Sequence, residues 1–445
     1  MRRGITGMAL LLALVPGAVF GADWPNWRGP YYNGSSPETG LPVRFSPTEN
    51  VKWSVSLPGP AASTPIIWGD QVFLTSTDLK NQGLLALCLD RQTGKVRWQH
   101  YVGTGYRPGG EGNEIQLDSR SNYASPSPVT DGKRVVFFFG NGDLAAFDLQ
   151  GRKLWQRNIQ KEYGDFAFQW TFGSSPQLYA GKLYLQVLQR NLAVGNRGKD
   201  GNPSYLLALD PATGKELWRH VRPSPAQMES LEAYSTPIPY EHNGRRELII
   251  AGGDVLTGHD PETGKELWRW GTWNPGHREA WWRLVPSPVA GGGVVVVCAP
   301  KRAPVYAARA GGSGTLGTSG LVWKSEERSE VTSDVPTPLF YQNRFYVLSD
   351  LRKALSCVEP QTGQVVWSVP LPGNTMYWAS PTGADGKIYL VNLRGEVCVV
   401  QARDGKILHT VAMDNSEDPD VRSTIAVARG NLFLRTTRRL YCIGK

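Results

Sequence analysis

The segment Ala208-Leu209-Asp210-Pro211-Ala212-Thr213-Gly214-Lys215-Glu216-Leu217-Trp218 decides the fold, because its plan recurs along the chain. The plan is a small residue, one residue, Asp, two residues, Thr-Gly-Lys, two residues and Trp. Asp90, Thr93, Gly94 and Trp98 repeat it, as do Asp260, Thr263, Gly264 and Trp268. Glu359, Thr362, Gly363 and Trp367 repeat it with Glu for Asp. Asp148, Gly151 and Trp155 form a copy one residue shorter, and Gln401, Asp404, Gly405 and His409 a decayed copy with His in the Trp place. Trp53 and Trp323 mark two more in poorer surroundings. An Asp that bonds its own backbone and a Gly that accepts positive φ make a tight turn between strands. A Trp in the strand that follows can bury a large ring against the neighbouring unit. Repetition makes these tryptophans structural, not a cofactor box.

A second mark precedes the copies: Thr64-Pro65, Ser127-Pro128, Ser175-Pro176, Thr236-Pro237, Ser287-Pro288, Thr337-Pro338 and Ser380-Pro381. Proline lacks an N–H, which a first strand residue tolerates. Two β-rich runs lie between the marks, so each unit reads as four strands, and a period of 40 to 60 residues is that of a propeller blade. The seven marks start seven blades. The eighth is split: Arg422 to Ala428, Asn431 to Arg435 and Leu440 to Ile443 supply three strands, and Val51 to Leu57 returns as the fourth. The expectation is an all-β, eight-bladed β-propeller over residues 51–445, closed by its two termini so that no sheet edge is left bare. An irregular segment, 22–50, precedes it.

Composition agrees. Among 445 residues stand 50 Gly, 32 Pro and 16 Trp, with 40% hydrophobic and 20% charged, which suits short strands and many turns. The net charge of +9 comes from 48 Lys and Arg against 39 Asp and Glu, scattered without a basic block. That reads as a solvated surface rather than a nucleic-acid face. Arg2 and Arg3, the apolar run Met8 to Val15 and the small residues up to Gly21 read as a secretory signal peptide over residues 1–21. The expected protein is periplasmic or secreted, monomeric, without a membrane span and without nucleic acid as partner. Of the five cysteines, Cys88, Cys357 and Cys442 occupy the small-residue place of the repeat, where Ala146, Ala208 and Gly258 stand elsewhere. There a cysteine acts as a small hydrophobe. The six histidines show no metal-ligand spacing, and Gly312 to Gly317 matches a dinucleotide-binding string only in a flexible blade insertion without βαβ context.

These motifs resemble the tryptophan-docking repeats of the PQQ-like, or quinoprotein-like, propeller family, over roughly residues 51–445. The opening Asp23-Trp24-Pro25-Asn26-Trp27-Arg28-Gly29-Pro30 is similar to a lead segment of exported PQQ-like repeat proteins. The resemblance implies two functional branches. One is the quinoprotein alcohol dehydrogenases, with pyrroloquinoline quinone and calcium over the central channel. The other is the scaffold subunit of outer-membrane β-barrel assembly. The dehydrogenases carry two adjacent cysteines over the quinone, and no adjacent pair exists here. The sequence therefore reads as a non-enzymatic scaffold for a protein, peptide or ligand in the cell envelope, with no cofactor and no metal. A quinone-and-calcium oxidoreductase is the competing reading.

The segments just before the inner strands converge on one mouth of a propeller channel. They differ from blade to blade, which a specific site requires. The expected ligand-binding residues are Arg120, Asn122, Trp170, Glu232, Trp282, Arg283, Asp334, Trp378 and Arg422. Indole rings there, as of Trp282 and Trp378, offer stacking area, Arg120, Arg283 and Arg422 hold a carboxylate or other anion by paired N–H bonds, and Glu232 and Asp334 orient the arginines or accept from hydroxyls.

Overall fold

The computed structural model describes residues 21–104, 122–195, 197–271, 273–413 and 420–445. Eight sheets form a ring of eight blades, as the repeat requires. Blade 1 runs from channel to rim as Ile66–Trp68, Gln71–Asp78, Gly83–Asp90 and Val96–Thr104. Blades 2 to 7 follow over residues 129–158, 177–221, 238–270, 289–324, 339–370 and 382–412. Blade 8 joins Ala426–Ala428, Asn431–Arg435 and Arg439–Ile443 to the N-terminal strand Val51–Ser56. Val55 of that strand pairs with Leu440, so the termini close the ring. Among the described residues the longest helix is one short turn, Ile159–Tyr163.

The Asp-x-x-Thr-Gly turns behave as their chemistry dictates. Asp210 Oδ1 accepts the N–H groups of Ala212 and Thr213 at 2.7 and 2.9 Å. Gly214 sits at φ +71, and a Cβ built there would lie 2.7 Å from the Trp155 ring of the preceding blade. Glycine is required twice over, once by its backbone and once by the indole stacked on it. The same stacking joins Trp53 to Gly94, Trp98 to Gly151, Trp218 to Gly264, Trp323 to Gly363 and Trp367 to Gly405. Five of these six indoles also donate to a backbone carbonyl of the neighbouring turn, as Trp155 Nε1 does to Pro211 at 2.9 Å. The small residue of the motif sits directly across from the tryptophan: Cys88 from Trp98, Cys357 from Trp367 and Cys442 from Trp53. All five cysteines are free and buried.

Two seams depart from the rule because the acceptor turn is missing. Blade 5 carries an insertion where its turn should be, and Trp268 of blade 4 donates instead to Glu247 within its own sheet, at 2.8 Å. The insertion is not the flexible loop that its glycines suggest. Gly314–Thr315 crosses the seam and pairs in parallel with Trp268 and Arg269 as a fifth strand of blade 4. Blade 8 takes its outer strand from the N-terminus and so has no turn at that corner. There His409 fills the tryptophan place and donates through Nε2 to the Phe45 carbonyl, 2.8 Å away.

The Ser/Thr-Pro mark has a second use. The backbone N–H of Thr64 donates to Ser127 Oγ, Ser127 N–H to Ser175 Oγ, Ser175 N–H to Thr236 Oγ1, and onward through Ser287, Thr337 and Ser380. Thr424, which opens blade 8, donates to Thr64 Oγ1 in the same way, so the chain of bonds runs through all eight blades, with no such bond from Ser380 to Thr424 among the described residues. These seven bonds of 2.8–3.1 Å hoop the inner strands together. In seven of the eight blades the residue that follows is proline, which has no N–H of its own to satisfy.

Candidate functional site

The lead segment closes one end of the channel. Trp24 pairs with Ile67, Pro25 O accepts Thr130 N–H, and Tyr32 Oη donates to Leu178 O. On the opposite side Asn33 O accepts Phe340 N–H, and Gly34 O accepts Gly383 N–H. Each contact falls three residues past the Ser or Thr of its blade, so the segment lies across the channel ~10 Å below the hydroxyl ring. Arg28, fully buried, pins it there by donating to Pro338 O at 2.7 Å and Asn33 O at 3.1 Å. Burial of this unpaired guanidinium pushes its pKa down to about 9.

Above that floor a cavity of about 420 Å³ is bounded by Trp27, the hydroxyl ring and the segments that lead into the inner strands. Its walls follow the alternation of an extended backbone, in which every second side chain faces the same way. The residue two before each ring position lines the cavity in all eight blades: Ala62, Ser125, Gly173, Tyr234, Val285, Val335, Trp378 and Arg422. The small ones cluster on blades 1 to 3, with Arg422 of blade 8 beside them and the bulk of Trp378 of blade 7 across the ring from Gly173.

Five of the expected residues meet here: Trp170, Arg283, Asp334, Trp378 and Arg422. Arg283 grips Asp334 with two bonds of 3.1 Å. Arg422 pairs with Asp420 at 3.1 Å, and its guanidinium lies 5.3 Å from the Trp378 ring centre. Trp170 Nε1 donates to Glu229 at 3.1 Å. Three expected residues lie off the cavity lining. Asn122 is a turn residue, accepting from Ala124 N–H and donating to Pro60 O. Glu232 is buried behind the wall, ion-paired with Arg190, and accepts from Tyr234 Oη at 2.5 Å and Gln169 N–H at 2.9 Å. Burial raises its pKa. Trp282 packs against the core of blades 4 and 5. Arg120 lies outside the described residues.

Asp350 was not foreseen. It sits at the hairpin tip between Arg344–Ser349 and Ala354–Val358 of blade 6, beside the segment that enters the inner strand of the same blade. Its Oδ1 accepts Asp334 N–H at 3.0 Å, and burial pushes the carboxyl up to about 6. Trp27, on the floor, was foreseen only as part of the lead motif. Tyr234 obeys the two-before rule, which was there to be read once the ring was fixed.

Ring, docked blades and blocked channel define a class, the eight-bladed tryptophan-docked propellers. Within it the sequence matches the family described as outer membrane protein assembly factor BamB over residues 45–196, 202–316 and 315–441, and the chain belongs to that family. A curated relative, a polyvinylalcohol dehydrogenase of Sphingopyxis sp., is 26% identical over 209 residues, 44% of this chain and 28% of that protein. The match thus spans under a third of the relative's length. BamB of Moraxella catarrhalis superimposes with a TM-score of 0.58 at 14% identity, covering 88% of this chain and 98% of that one. A europium-containing methanol dehydrogenase gives 0.65 at 12% identity, covering 95% and 89%. At these identities the structural likeness establishes the fold alone.

Proposed function

We propose that the protein is a non-enzymatic binding scaffold exported to the cell envelope, and that its ligand or the tip of a partner protein enters the channel at the end opposite the lead segment. One observation carries this reading. The channel is blocked at one end, and the residues around the other change character from blade to blade while the rest of the repeat does not. Membership in a family described as an assembly factor supports a role in building the envelope, as does the near-complete coverage of the Moraxella protein. Among the described residues no helix is long and apolar enough to cross a membrane.

The dehydrogenase relatives favour a second reading, quinone chemistry over the channel. The residues present do not fit a calcium-held quinone. The chain has no adjacent cysteines, and no cluster of three His, Cys, Asp or Glu suited to a metal occurs among the described residues. The two channel aspartates are already engaged, Asp334 by Arg283 and Asp350 by a backbone N–H. The test is reconstitution with pyrroloquinoline quinone and calcium chloride, followed by dye reduction with a panel of primary alcohols. The scaffold reading expects no reduction above the protein-free blank. Alcohol-dependent turnover would overturn it.

A further inference from the structure

We infer that the channel mouth is built for a neutral, polyhydroxylated ligand, a saccharide end, rather than for an ion or a peptide. The inference rests on the mouth being the binding site and names the chemistry it takes. Three observations carry it.

The first is the state of the hydroxyl ring. Ser127, Ser175, Thr236, Thr337 and Ser380 each accept a backbone N–H from the preceding blade and line the cavity. Each gives one lone pair to that N–H, and among the described residues none donates its own proton to a protein group. The ring therefore presents hydroxyl protons to whatever occupies the channel.

The second is the balance of charge. Two arginines, Arg283 and Arg422, and two aspartates, Asp334 and Asp350, line the cavity. Arg283 is bonded to Asp334 and Arg422 to Asp420, so neither guanidinium faces the cavity as an uncompensated charge. A carboxylate or phosphate would meet the buried Asp350. A cation would meet the guanidiniums of Arg283 and Arg422 in the same space. A sugar hydroxyl donates and accepts at once, so it can accept from the ring and the arginines while donating to an aspartate.

The third is the distribution of rings. The indoles of Trp27, Trp170 and Trp378 border the same space, half-buried, with apolar faces beside polar groups. The C–H face of a pyranose packs on such a surface while its edge hydroxyls reach the polar wall. The volume, about 420 Å³, lies within the range of small-molecule sites, and the small residues Ala62, Ser125 and Gly173 leave the room on one side. The floor laid by Trp27 admits an end of a chain and stops it.

The test is titration of the intact protein with maltose, cellobiose, lactose and diacetylchitobiose, read by tryptophan fluorescence and calorimetry, with citrate and trialanine as comparators. We expect saturable binding of at least one disaccharide. Trp378→Ala and Asp350→Asn should each weaken it about tenfold or more, the loss of a stacking face or of a charged hydrogen-bond partner, with thermal unfolding checked for each variant. Tighter binding of citrate or trialanine than of every sugar overturns the inference. So does the absence of any sugar binding, or sugar binding unchanged in a folded Trp378→Ala. If citrate or trialanine binds and Trp378→Ala abolishes it, the mouth remains the binding site and only the ligand class is wrong.

Discussion

Two tiers of one channel, two residues apart on the segments that lead into the inner strands, follow opposite rules. The lower tier is Ser or Thr in every blade, and its hydroxyls and N–H groups tie the blades together at seven of the eight junctions. The upper tier holds Ala62, Ser125, Gly173, Tyr234, Val285, Val335, Trp378 and Arg422, no two neighbours alike in size and polarity except the valines. A position that must bond its equivalent next door is fixed by that bond. A position that faces only the cavity is free to differ, and difference is what recognition needs. The outer rim, with its stacked tryptophans and glycines, belongs with the lower tier: it builds the ring and carries no information about a ligand.

That contrast can be broken most severely at the rim. Gly214→Val should cost at least ~3 kcal/mol, since it combines strain at positive φ with overlap on the Trp155 ring. Gly40 has nearly the same φ, +70, but open space around it, so Gly40→Ala should cost only ~1 kcal/mol. Urea unfolding midpoints of the two variants measure the difference. Equal losses would mean that backbone strain alone matters and that the docked indole does not.

Trp155→Ala should follow at about 3 kcal/mol, the cost of emptying a largely buried aromatic site, and should leave affinity at the mouth unchanged. A rim variant that lost both stability and binding would erase the distinction between the regions.

A smaller effect, of opposite sign, is expected at Asp350. Burial pushes its carboxyl up to about 6 in the folded protein, well above the ordinary carboxylate range. The fold thus favours the protonated form, so the stability it contributes is present below pH 4 and is lost as the pH rises through 6. Asp350→Asn removes that loss and should stabilise the protein at pH 7 by up to ~3 kcal/mol, with little change at pH 4. Thermal unfolding between pH 4 and 8 measures it. A variant less stable than wild type at pH 7 would show that the carboxylate is held by bonds the amide cannot replace.

The rim was legible in the sequence because its chemistry is local. Asp, Thr, Gly and Trp stand within nine residues of each other and recur, so Asp210, Gly214 and Trp218 disclose the turn before any contact is known. The exceptions were legible too, but not their consequences. His409 in the tryptophan place marks the corner where blade 8 lacks a turn, and only the three-dimensional arrangement shows it reaching Phe45. The mouth was half legible. Trp378 and Arg422 precede the ring position by two residues and so face the cavity, whereas Asn122, Trp170 and Trp282 stand five residues before it, where turns intervene, the alternation no longer holds and only Trp170 of the three reaches the cavity. Asp350 reaches the cavity from a hairpin tip, and the fully buried Arg28 holds the floor from a segment without regular structure. Neither carries a periodic signal, because the contact that gives each its place is made between parts of the chain far apart in sequence.

The most direct test of this division is a paired titration of Trp155→Ala and Trp378→Ala with whichever neutral disaccharide the wild-type protein binds, at a temperature where both variants are folded. The account predicts wild-type affinity in Trp155→Ala and a loss of about tenfold or more in Trp378→Ala, whose unfolding midpoint stays closer to that of the wild type. Wild-type affinity in Trp378→Ala together with lost affinity in Trp155→Ala would place recognition at the rim and contradict it.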